Sequence, residues 1–253
     1  MGAIFYENQK INKDNNLLNT DCMTYRGNNL GTVTSSTIGD FMKQHGISKG
    51  YFTDLYVGDY FTAKYDGSNI NFRIMDIDPY YDISDSGIAG KHHILIVPDK
   101  PITTSRIGYS SNGYAGTYMY KTTTPKIDAA LKNIFGDYLL SHKEIITTSN
   151  SKNYASYEVP DKANTTTVLV KSILMSIIEL YGKNFGFESH GMITHQLLGF
   201  KYNPNLIELD DDFYYIRDSF GNVFFIIDSD GEGLSNCDDD DASVSVRPRF
   251  LLG

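Results

Sequence analysis

The densest concentration of groups that could do chemistry lies between Asp218 and Asp241, which hold eight carboxylates and no Lys or Arg. Hard cations such as Ca2+ take several carboxylate oxygens, and Asp228, Asp230, Glu232, Asp238, Asp239, Asp240 and Asp241 offer enough of them. The spacing is not that of an EF-hand: in DSDGEG the Gly arrives early and the closing Glu is missing. A solvated acidic turn is the plainer expectation. No cofactor is expected, with Ca2+ at this hairpin as the alternative. His92 and His93 are adjacent on an apolar stretch, so they point to opposite faces of a strand and do not share a metal. His142, His190 and His195 have no Cys or carboxylate at zinc-ligand spacing. Arg217 and Arg247 bracket the acidic stretch. They either grip an anionic ligand or lock the hairpin to its sheet, through Asp218 or a backbone carbonyl, and the structural role is favoured. Cys22 and Cys237 lie too far apart to suggest a disulfide framework or a metal knuckle, so two unpaired thiols are expected. There is no Gly-x-Ser-x-Gly elbow, no phosphate loop and no dinucleotide fingerprint. No enzyme is expected.

These residues need strands to hold them. Val223, Phe225 and Ile227 alternate with Asn222, Phe224, Ile226 and Asp228, the two-residue period of a strand. Phe213-Tyr215-Arg217 and Val244-Val246 have the same period, which gives three strands joined by short loops. Asn222, Phe224, Ile226, Asp228, Asp230, Glu232 and Asn236 are expected to lie outside the core. Upstream, Leu55–Val57, Tyr60–Thr62, Ile70–Ile77 and His93–Val97 read as strands, with turns at Asp66-Gly67 and Asp78-Pro79.

Three helices are expected. The first is short, within 33–49, with Ile38, Phe41 and Met42 at helical spacing and Gly46 as its stop. The second is capped by Thr124 and striped by Ile127, Leu131, Ile134 and Phe135. The third runs from Thr166 to Tyr181 with Leu169, Ile173, Ile177 and Leu180 on its buried side and Gly182 as its stop. Thr147–Asn164 reads as an exposed loop. Strands, then helices, then strands is an α+β order. Residues 1–24 are polar and Asn-rich and read as an arm, with a boundary near Lys49-Gly50.

A 41% hydrophobic content supports a sizeable core. The formal net charge of −9 argues against nucleic-acid or anionic-membrane binding, since both need a basic footprint. No apolar run approaches the ~20 residues of a membrane span, and the N-terminus lacks the pattern of a secretion signal.

The order aromatic-aromatic-x-Arg-Asp, a hairpin, then Val-Arg-Pro-Arg-Phe resembles the end of a large family of phage virion proteins with a C-type lectin-like fold. YRGNNLGT (25–32), DLYVGDYFT (54–62), NFRIMDID (71–78), HHILIVPD (92–99) and GYAGTYMY (113–120) resemble that family's landmarks in its order, over residues 25–250. The usual paired tryptophans are replaced by Tyr214 and Tyr215, and the chain has no Trp. The resemblance implies an arm and short helix over 1–50 for attachment to other virion proteins, and a lectin-like domain over 51–253. It implies a displayed surface of Asp218, Asn222, Phe224, Ile226, Asp228, Asp230, Glu232, Asn236, Asp238, Asp239 and Asp240. A virion location, a host-surface glycan or protein as partner and a homo-oligomer, with a trimer as one form, follow from it. The rivals are a decoration or assembly-joint protein without a receptor, and a formylglycine-generating type of enzyme on the same fold, centred on Cys237.

Overall fold

A computed structural model describes residues 20–108, 112–149, 164–183, 190–209, 212–220, 223–231, 233–234 and 243–253. The hairpin of β2 (Tyr60–Tyr65) and β3 (Ser68–Ile77) starts the main sheet. Asp66 and Gly67 turn it with φ of 47° and 82°, left-handed values that the short Asp side chain and Gly tolerate in a two-residue hairpin. β1 (Asn29–Thr32) adds in parallel to β2. On the other side β4 (Ile94–Pro98), β13 (Pro248–Leu252) and β8 (Ser172–Leu174) follow antiparallel, giving six strands in the order β1-β2-β3-β4-β13-β8.

A second sheet runs β11 (Gly233–Leu234), β10 (Val223–Ile227), β9 (Tyr214–Phe220), β12 (Val244–Val246) and β5 (Thr103–Ser105). β6 (His142–Thr147) and β7 (Thr165–Val170) form a separate two-stranded ribbon. Five α-helices accompany the strands among the described residues, besides 3-10 and π turns: α1 (Ile38–Gln44), α2 (Gly113–Gly116), α3 (Thr124–Phe135), α4 (Ile177–Tyr181) and α5 (Leu198–Tyr202). The chain is a mixed α+β protein.

Two apolar clusters explain why several strands read as unbroken apolar runs. One gathers Phe61, Phe72, Phe135, Tyr215, Phe224 and Phe250, and the other Met75, Leu95, Tyr214, Phe225, Ile227 and Leu251. Neighbours in sequence on β9, β10 and β13 fall into different clusters, so these strands are covered on both faces. In the first cluster the Phe72 and Phe135 rings meet edge-on at 5.4 Å, and Phe135 stacks on Phe250 at 5.4 Å.

The helix expected over Thr166–Tyr181 is β7, β8 and then the short α4, and Leu169 is 68% exposed rather than buried. The β-branched run TTTVLV is a strand because β6 pairs with it along six residues, which outweighs the helical spacing of its apolar positions. Gly182 does end α4, with φ 73° and its N–H donating to the carbonyl of Ile178. Leu55–Val57 is not a strand: of these residues only Val57 pairs, as a single bridge to Tyr25. Lys49-Gly50 does not separate two packing units, since Cys22, Val33, Ile38, Phe41, Met42 and Ile47 belong to the same cluster as Phe61 and Phe250. Residues 1–19 and most of the loop expected over Thr147–Asn164 lie outside the described residues.

Candidate functional site

The charged residues of the sequence motifs close on one another. Arg26 from YRGNNLGT donates two hydrogen bonds to Asp59 from DLYVGDYFT, from Nη2 at 2.6 Å and Nε at 3.1 Å. Asp59 is fully buried and also accepts from the backbone N–H groups of Asn28 and Tyr56. Arg73 from NFRIMDID does the same to Asp99 from HHILIVPD, at 2.7 and 2.6 Å, and its Nη1 donates to the carbonyl of Gly58. Each pair is bidentate, the geometry in which an Arg–carboxylate contact is strongest and most directional.

The C-terminal motifs meet on a buried carboxylate. Glu179 on α4 accepts from Nη1 and Nη2 of Arg217 at 2.9 and 3.2 Å, and from Nε of Arg249 at 2.7 Å. It also receives the backbone N–H of Ser176, whose hydroxyl in turn accepts from the Glu179 N–H, a complete capping box. Arg249 reaches onward to Glu144 on β6, which takes the Tyr80 hydroxyl and the backbone N–H groups of Ile145 and Met192. Two guanidinium and two carboxylate groups therefore balance in a volume closed to water.

The Arg249 and Arg217 charges hold both glutamates ionised, Glu144 down to about 2 and Glu179 below its ordinary value, against the opposing effect of burial. His142 packs its ring against Tyr80 at 4.9 Å, and burial together with the Arg249 charge pushes it down to about 3, so it is neutral.

Arg217 is thus a structural clamp, and backbone carbonyls are among its anchors: besides Glu179 it donates to the carbonyls of Leu174 at 2.6 Å and His190 at 3.2 Å. Arg247 is buried as well, donating to the carbonyls of Pro98 at 2.8 Å and Leu206 at 2.7 Å. Its guanidinium lies 5.5 Å from the Tyr214 ring centre and 5.8 Å from that of Phe200.

The expected display residues divide. Phe224 is not outside the core: it is 1% exposed in the first cluster, because β10 is covered on both faces. Asp218 is also buried and accepts the Ile177 N–H at 2.8 Å, fastening β9 to the start of α4. Ile226 is half-buried against the first cluster. Asp228 is half-buried and its carbonyl accepts the Gly231 N–H in a turn, while Asp230 is exposed. Asn222, Glu232, Asn236, Asp238, Asp239, Asp240 and Cys237 lie outside the described residues. Among the described residues no three His, Cys, Asp or Glu side chains gather as a metal site.

A groove of about 820 Å3 opens beside the point where the chain returns from this stretch. Tyr65, Thr104, Arg106, Lys126, Asn133 and Ser243 are among the residues that line it. Sequence reasoning missed Glu179, Glu144 and Arg249. Each is a charge set in or beside an apolar run (SIIELY, KEII, RPRFLL), and such a charge is found buried only with a partner.

No family model, no curated protein and no solved structure matches this chain.

Proposed function

We propose that this chain is a structural protein of a phage virion, and that its domain is C-type lectin-like and holds the 228–242 region out for adhesion to the host surface. The observation that carries the reading is the convergence of Arg217 and Arg249 on Glu179. The strands that carry Arg217 and Arg249, before and after the acidic stretch, are clamped to one buried carboxylate, so residues beyond Ile227 in that stretch can vary without loosening the frame. Loops positioned by a rigid scaffold are where binding residues concentrate. The exposed Asp230 and the groove beside Ser243 flank the place where such a surface begins and ends.

Replacing the whole of 219–242 would remove Phe224, Phe225 and Ile227 from the core, so the test uses a smaller exchange. Residues 235–242 are replaced by a Gly-Ser spacer of equal length, with Asp230→Asn alongside, and adsorption to cells of the host bacterium is measured. Loss of adsorption with unchanged thermal unfolding is expected. Full adsorption by both variants would leave the stretch without a receptor role and make the chain a decoration or joint protein.

A further inference from the structure

β7 presents an edge that the rest of the described molecule leaves uncovered. Among the described residues it pairs with β6 alone, in an unbroken register from Thr147↔Thr165 to His142↔Val170. Thr165, Thr166 and Thr167 are all exposed. Successive strand residues face opposite sides, so three exposed in a row mean that neither face is covered at that end. Leu169 follows at 68% exposed, more than the other exposed large apolar residues Tyr51, Tyr202 and Phe213. The strand reads TTTVLV, with no charge, no Pro and no bulge. Native sheets protect open edges with those three devices, and a bare edge is a template for another strand.

We infer that two copies of this chain associate through β7, edge to edge and antiparallel about a two-fold axis. The occupant is a second copy because the edge is complementary to itself. The chain carries a formal charge of −9, so two copies repel over most approaches, and β7 is a stretch of six residues with no ionisable group. Residues directly opposite in an antiparallel pair share a face. A pairing centred on Thr167 therefore sets Thr165 against the partner subunit's Leu169 and keeps Val168 and Val170 of both copies on the core side. It also places the two Lys171 side chains at opposite ends, roughly 26 Å apart at 3.3 Å per residue. Such pairing is isologous and closes as a dimer. A six-residue edge buries less than a standard interface, so association depends on concentration. The inference stands independently of the adhesion reading.

The full chain is examined by size-exclusion chromatography with light scattering over a concentration series. The expected mass rises from 28.4 kDa to twice that value. Leu169→Lys, which changes only an exposed side chain, shifts the chain back to monomer, as does Thr167→Pro where circular dichroism shows the fold retained. Thr167→Cys gives a reducible covalent dimer on mild oxidation that the unaltered chain does not form, since the two-fold centre brings these positions within disulfide reach. A monomer throughout the series, a threefold mass, or Leu169→Lys dimerising as the unaltered chain does would each overturn the proposal.

Discussion

Glu179 carries more of this molecule's order than its single charge suggests. It holds Arg217 and Arg249 at once, and both guanidinium groups are cut off from water. Removing one partner of a buried ion pair costs about 3–5 kcal/mol, because the remaining charge is left unpaired. Glu179→Gln keeps the shape and removes the charge, so urea unfolding should show a loss of that order. Unchanged stability would mean that the two arginines do not depend on it. Replacing Glu144 together with Arg249 by apolar residues of similar volume should cost less than Glu179→Gln, since no buried charge is then stranded.

Acid sensitivity belongs to the same residues. The unfolded chain binds a proton at His142 below pH 6.5, while the folded chain resists it down to about 3, so stability falls as pH drops through that interval. Glu144 acts in the same direction lower down: its folded value of about 2 lies below the ordinary 4.5, so the stability it contributes is present above 4.5 and lost towards 2. Urea midpoints should therefore decline already between pH 6.5 and 4.5, and His142→Gln should flatten that first decline while leaving the steeper one below it. An equally steep first decline in the variant would assign it to another group.

At the scale of elements, turns decide which expectations survive. The Asp66-Gly67 hairpin, the first helix with its Gly46 stop and the α3 stripe were legible because local chemistry fixes them. The stretch from Thr165 to Tyr181 was not, because β-branched residues at helical spacing suit both periods and only pairing with β6 decides. The Ser176-x-x-Glu179 capping box was the overlooked local signal for where α4 begins. The display residues were misassigned for a related reason. An alternation of Phe and Ile with Phe and Ile has no polar face, so Phe224 could not be sorted from Phe225 by period alone.

Gly58 shows the opposite case, an element that permits one residue. Its φ is 86°, and a Cβ there would meet the Tyr25 ring at 2.3–2.8 Å. Its carbonyl takes Arg73 and its N–H donates to Ile74. Gly58→Ala adds backbone strain to the clash, about 1–3 kcal/mol for each. It should lower the melting temperature, whereas Gly67→Ala, with open space around its Cβ, should show the cost of φ alone. Equal losses in the two variants would remove the Tyr25 contact from the account.

On the scale of the whole molecule, distant parts of the chain are joined at the centre. β13 lies inside the six-stranded sheet, between β4 and β8, with all five of its residues buried. It supplies Phe250 to one cluster and Leu251 to the other, and Arg249 to the ionic frame. Pairing of β13 with β4 and β8 spans over seventy residues of chain in each case, so the sheet closes only after long loops have been ordered. Nothing local can stand in for this strand. Deleting 248–253 would open the sheet between β4 and β8, expose both clusters and strand Glu144 and Glu179 without Arg249. The shortened chain should lose its cooperative thermal transition and its near-ultraviolet circular dichroism together. A retained, single sharp transition would show that β4 and β8 pair without β13, and that the frame around Glu179 follows the fold rather than holding it.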